Sequence, residues 1–216
     1  DLEIYFDDHT NSHFSKIPFS KNRKSINKNC NNISKSYVDD VFTKVFGYSL
    51  TVNPLENNGL ILEKSEENAK HDGKIIQSPI LSDFLDKSKV YQKVINNIYN
   101  DFAIDYRVVW IKDDIALTYV KYALKVNRFK SKTVYSKVMP VKKLFSNQEI
   151  NLIKKFCKNF KLDFGELDIL RDRNTKKIYI VDVNKTAWGP PDKIVLKDGK
   201  KAIQLINKKF QESYLN

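Results

Sequence analysis

Two stretches of this chain set acidic residues inside otherwise apolar strands: Leu167-Asp168-Ile169-Leu170 and Ile178-Tyr179-Ile180-Val181-Asp182-Val183-Asn184. A carboxylate is costly to bury unless it is paired or liganded, so the pattern limits what this segment can become. Asp182 and Asn184 stand at i and i+2 and project from one face of their strand. Residues 171–177 carry the turn signal Asp-Arg-Asn-Thr; if they close a hairpin, Asp168 comes to lie beside Asp182. Two carboxylates and an amide oxygen are hard donors suited to Mg²⁺, which takes few protein ligands and fills its remaining positions from phosphate and water. The competing reading is a wet hairpin whose carboxylates face solvent and nearby lysines. A single Asp would favour that reading. The whole arrangement, followed directly by Lys185, Gly189, Pro190 and Pro191, favours a metal site.

The rest of the chain interleaves helices and strands. Residues 1–32 are polar, rich in Ser, Asn and Lys, and read as loops with one short strand at residues 2–6. Val38, Val41, Phe42 and Val45 recur at helical spacing, with Ser36 as the expected N-cap and Gly47 as the stop. Strands are expected at residues 48–52 and 59–64 around a turn, and at 74–78 after a polar loop at 65–73. A short helix at 82–86 and an apolar strand at 90–95 follow. Residues 105–111 and 115–124 form an expected hairpin. Ser146 and Glu149 have capping-box spacing ahead of a face made by Ile150, Ile153, Phe156 and Phe160. Ala202, Ile203, Ile206 and Phe210 mark a closing amphipathic helix. The elements fall into two clusters that part near residues 90–97, an α+β chain of two lobes without internal repeats.

Composition narrows the class. At 216 residues and 41% hydrophobic, the chain can build one large or two small domains, since burial on folding reaches roughly 70% at this size. The formal charge of +12 is carried mostly by lysines spread along the chain, which reads as solvated positions rather than a concentrated polyanion site. No run approaches the roughly 20 apolar residues needed to cross a bilayer. Asp1-Leu2-Glu3 does not open a signal peptide; without an initiator Met, the chain reads as a trimmed product or an excised fragment. Cys30 and Cys157 form no metal or redox motif, and Cys157 falls in a helical apolar pattern expected in the core. A reduced, cytoplasmic setting is expected.

Leu167-Asp168-Ile169-Leu170-Arg171, a turn, and Tyr179-Ile180-Val181-Asp182-Val183-Asn184 together resemble the metal-binding end of the ATP-grasp superfamily. More narrowly they are similar to ligases that add glutamate to peptide carboxylates. The resemblance implies that Asp168, Asp182 and Asn184 hold magnesium, or manganese in its place; the family more often has Glu where this chain has Asp182. It implies that Lys64, ending the strand Leu60-Ile61-Leu62-Glu63, meets the α- and β-phosphates of ATP. The loop through Asn68, His71 and Gly73 would close over the triphosphate, although it lacks the glycine-rich character common in the superfamily. The strand Val90-Tyr91-Gln92-Lys93-Val94-Ile95 would read adenine through the main chain of Gln92, Lys93 and Val94. Asp105-Tyr106-Arg107 resembles the family's acid-x-Arg strand, which gives Arg107, with Lys121 on the next strand, a place at the transferring phosphoryl group.

The resemblance spans residues 33–191. It implies a two-lobed fold, each lobe a mostly antiparallel sheet with helices and the nucleotide between them. Residues 1–32 would be a loop-rich N-terminal segment, 33–95 the small lobe with the phosphate loop, and 96–216 the large lobe with the metal site. Enzymes of the superfamily usually carry a further N-terminal domain that helps bind the acceptor, and here only residues 1–32 precede the matching region. The implied function is an ATP- and magnesium-dependent ligase, in which an acceptor carboxylate becomes an acyl phosphate that an amine displaces. Two rivals stand beside it: a kinase acting on a small molecule or a sugar or surface-polymer precursor, and a basic nucleic-acid-binding protein. Neither the acceptor nor the oligomeric state follows from the sequence.

Overall fold

The computed structural model describes residues 1–12, 23–70, 72–129 and 132–215. Strands β1 (Leu2–Ile4) and β2 (Lys24–Ile26) pair in parallel near the N-terminus. Helix α1 (Lys35–Phe46) begins where the side chain of Ser34 accepts the N–H of Tyr37 at 3.4 Å, and ends at Gly47, whose φ of +78° suits a residue without a Cβ. The cap is therefore Ser34 and not Ser36.

Strands β3 (Gly59–Ser65), β4 (Lys74–Ser78) and β5 (Lys89–Lys93) form an antiparallel sheet in the order β4-β3-β5. The strand expected at residues 48–52 is reduced to an isolated bridge between Thr51 and Gln92. Asp39 on α1 explains this, because its carboxylate takes the N–H groups of Leu50 and Thr51 that a regular strand would offer a neighbour. The helix expected at residues 82–86 is a single 3₁₀ turn, Ser82–Phe84.

The larger sheet is built from β6 (Ile98–Tyr99), β7 (Phe102–Ile111), β8 (Asp114–Leu124), β9 (Thr133–Met139), β10 (Phe164–Arg171) and β11 (Ile178–Asn184). Its order is β11-β10-β7-β8-β9, with β6 beside β7 and every pairing antiparallel. Between β9 and β10 lie α2 (Val141–Leu144) and α3 (Asn147–Phe160), and α4 (Leu196–Phe210) follows β11. The expected capping box at Ser146 and Glu149 is present at the start of α3. The hairpins β7–β8 and β10–β11 form as expected, whereas β9 was not anticipated.

One face of the larger sheet is the main core. Val108, Trp110, Leu167, Ile169, Ile178, Ile180 and Val183 bury there with Phe42 of α1 and Ile153, Phe156 and Phe160 of α3. Cys30 and Cys157 lie in the same core as free thiols. Side chains alternate along a strand, so Arg107, Glu166 and Asp168 face the other way. Helix α4 covers only part of that second face, where Ala202 packs with Val109, Leu117 and Tyr119. The remainder opens onto a cleft.

Candidate nucleotide and metal site

A register shift aims the acidic end of the β10–β11 hairpin. Asp168 lies opposite Asp182, but Ile169 lies opposite Ile180, so Val181 is an extra residue. The bulge lets Ile178 and Ile180 stay in the core while Asp182 and Asn184, further along the same strand, face the cleft. Glu166 then stands opposite Asn184. The two strands approach closely here: a Cβ on Gly165 would come within 2.5 Å of the Asn184 carbonyl oxygen.

The cleft has a volume of about 750 Å³ and lies between the two sheets. Lys64, Asn68, Gly73, Gln92, Lys93 and Val94 line it from the smaller sheet's side, and Arg107, Lys121, Asp168, Asp182 and Asn184 from the larger. His71 lies outside the described residues. The hairpin and the strand-end lysine, more than 100 residues apart in sequence, thus share one cavity. Lys35, Asp105 and Glu166 also line it, and none was singled out from the sequence as a site residue. Glu166 was legible, because its i−2 position puts it on the same strand face as Asp168. Asp105 was legible in the same way, two residues before Arg107 in the acid-x-Arg strand, whereas Lys35 gave no such signal.

The charges on the larger sheet are paired. Asp168 accepts from Arg107 Nε and Nη2, both at 2.9 Å, and from Lys121 Nζ at 3.0 Å. Burial alone would raise the Asp168 carboxyl, but Lys121 and Arg107 outweigh it and hold the group well below the usual carboxylate range. Asp182 is different. Burial, with the charge of Asp168 beside it, pushes its carboxyl upward, and its Oδ1 is buried with no hydrogen-bond partner. Glu166 is 1% exposed, and burial pushes its carboxyl up to about 7 against the pull of Arg107. Asn184 uses its amide oxygen locally, accepting Thr186 N–H at 3.0 Å and Thr186 Oγ1 at 2.8 Å.

Across the cleft, burial pulls the Lys64 ammonium down to about 8, with Asp182 opposing that shift and Lys35 reinforcing it. The loop after β3 is tied at several points. Ser65 donates to Asp72, which also pairs with Lys89 at 2.8 Å. The Asn68 N–H donates to Thr10 Oγ1 at 2.8 Å, and Lys35 Nζ donates to the Glu67 carbonyl. In the expected adenine strand, the Lys93 N–H already donates to the Leu50 carbonyl at 2.9 Å. The N-terminal segment reaches the site as well. Asn27, at φ +61°, donates from its amide to the carbonyls of Phe164 and Lys185, and its amide oxygen accepts the N–H groups of Asp163 and Phe164.

A vacant, buried Asp182 oxygen beside two further carboxylates fits a divalent cation in its donor chemistry. No known family model matches the chain, and no curated protein does. Solved structures do match in fold. The ATP-grasp ligase PsnB with a minimal precursor aligns at a TM-score of 0.57 and 13% identity, covering 87% of this chain and 65% of that one. The same ligase with minimal precursor, Mg and ADP aligns at 0.55 and 13%, covering 87% and 63%. D-alanine–D-alanine ligase from Bacillus anthracis with ATP aligns at 0.51 and 12%, covering 84% and 64%. The chain spans under two thirds of the length of these proteins. Among the described residues no helix is long and apolar enough to cross a membrane. The two-lobed α+β fold is similar to that of these ATP-grasp ligase structures.

Proposed function

We propose that the cleft binds ATP with Mg²⁺ and uses it to activate an acceptor carboxylate as an acyl phosphate, which an amine then displaces. The observation that carries this reading is the meeting of Lys64, residues 92–94 and the buried, unpartnered Oδ1 of Asp182 in one cleft of about 750 Å³. Volumes of this order suit a nucleotide-sized ligand.

Asp182 would hold the magnesium, joined by Asp168 and Asn184 once Arg107, Lys121 and Thr186 release their oxygens, and the ion supplies charge neutralisation at the phosphates. Lys64 is a strand-borne point charge suited to the α- and β-phosphates. Arg107 and Lys121 would turn from Asp168 to the transferring phosphoryl group, where added negative charge gives them a second partner. Because Lys93's N–H is engaged by Leu50, the adenine edge falls to the Lys93 carbonyl and to Val94. The chemistry needs no protein nucleophile. Positioning and charge neutralisation are enough.

Thermal melts test the binding. ATP with MgCl₂ at 100 times its dissociation constant should stabilise the fold by roughly 2.7 kcal/mol, and ATP with EDTA should do far less. Superimposable curves at millimolar ATP and MgCl₂ would remove the basis of the assignment.

A further inference from the structure

Building on the nucleotide and metal reading, we propose that Glu166 is a further carboxylate ligand of the cleft's divalent cation, acting with Asp182. Asp168 accepts three hydrogen bonds from Arg107 and Lys121. The Asn184 amide oxygen accepts two from Thr186, which uses both its lone pairs. Asp182 Oδ1 and both oxygens of Glu166 are buried and accept no side-chain hydrogen bond; the nearby Gly189 N–H favours the charged form of Glu166 but does not offset its burial.

A buried carboxylate in that condition is expensive unless a cation completes it. Arg107 Nη1 stands 3.5 Å from Glu166, but the same guanidinium makes its two hydrogen bonds to Asp168. It offers Glu166 charge and no bond. Position agrees with the vacancy. Glu166 is opposite Asn184, and Asp168 is opposite Asp182, so Glu166 and Asp182 are diagonal neighbours on adjacent strands. Diagonal pairs on one sheet face lie about 7–8 Å apart, within reach of long side chains. Both residues line the cleft. The cluster of Asp7, Asp8 and His9 also brings donor atoms within 4.8 Å of one another. There, however, Asp7 is already bonded to Ser12 and His9, and no buried vacancy calls for an ion.

The rival role for Glu166 is a purely electrostatic partner of Arg107, and two variants separate the roles. Glu166→Gln keeps the shape and removes the charge. Glu166→Asp keeps the charge and shortens the reach by one methylene. Mn²⁺ binding, read from the free-ion electron paramagnetic resonance signal with saturating ADP, is measured on wild type, both variants and Asp182→Asn, with a thermal melt as the fold control. A ligand role predicts at least tenfold weaker Mn²⁺ binding in Glu166→Gln and severalfold weaker binding in Glu166→Asp. Wild-type Mn²⁺ affinity in Glu166→Asp, or in a folded Glu166→Gln, while Asp182→Asn loses the ion, would overturn the role of Glu166 and leave the metal site standing. A wild-type protein that binds no Mn²⁺ with ADP would overturn the underlying reading as well.

Discussion

On the β7–β11 wall of the cleft, Arg107 and Lys121 both hold Asp168 at hydrogen-bond distance. On the β3–β5 wall, Lys64 has the longer-range attraction of Asp182, Glu66 and Asp39 to set against its burial. The first wall therefore carries its cations as satisfied pairs, and what it lacks is a partner for the Asp182 and Glu166 oxygens. The second holds a desolvated ammonium whose missing partner is an anion. The difference matters for binding: an arriving triphosphate relieves a cost on one wall, whereas on the other it must compete with pairs already made.

Breaking the satisfied wall should have the larger effect on stability. Arg107→Met leaves Asp168 to Lys121 alone and strips Glu166 of its neighbouring charge. Removing one partner of a buried pair costs about 3–5 kcal/mol; this pair is half-buried and Lys121 stays in place, so a loss of about 2 kcal/mol is expected in denaturant melts. A loss under about 1 kcal/mol, the range of exposed pairs, would mean the two walls do not differ in this way.

Changing the unsatisfied wall should leave the fold intact and act on binding. Lys64→Met should weaken ATP binding by about tenfold or more, as expected for a charged hydrogen bond worth roughly 1.5–3 kcal/mol. The pH dependence follows from the sign of the shift. The folded-state value of about 8 lies below the ordinary 10.5, so between these values the unfolded chain binds more protons. Stability of the ligand-free protein should rise across that window through this residue, and the rise should be missing in Lys64→Met. Wild-type ATP affinity should fall as pH climbs through about 8, where the cation is lost. Calorimetric titrations at pH 7 and 9 check this; equal pH sensitivity in the variant would assign the effect elsewhere.

Much of this was legible in the sequence, and the exceptions have physical causes. Periodicity marked α1, α3 and α4, and the acidic residues set in apolar runs marked the β10–β11 hairpin, because local spacing encodes both. Ser34 and Ser36 are equivalent as caps by residue type, and contacts around the helix start decide between them. The segment at residues 48–52 has a strand's composition, yet Asp39 takes the N–H groups that would have made it one. Arg107 and Lys121 were expected at phosphate, but their grip on Asp168 depends on β7 lying between β8 and β10, and cross-strand register is not written in a single strand. The bulge at Val181 is likewise a product of pairing, although it decides which way Asp182 points.

Calorimetric titration of ATP with Mg²⁺ into wild type and Asp182→Asn tests the central claim most directly, since it needs no knowledge of the acceptor. The substitution keeps the side chain's shape and removes the charge facing the cleft. Wild type should bind ATP in a metal-dependent manner with one site per chain, and Asp182→Asn should bind at least tenfold more weakly at an unchanged melting temperature. Metal-dependent ATP binding in Asp182→Asn equal to wild type, or none in wild type at millimolar ligand, would contradict the account.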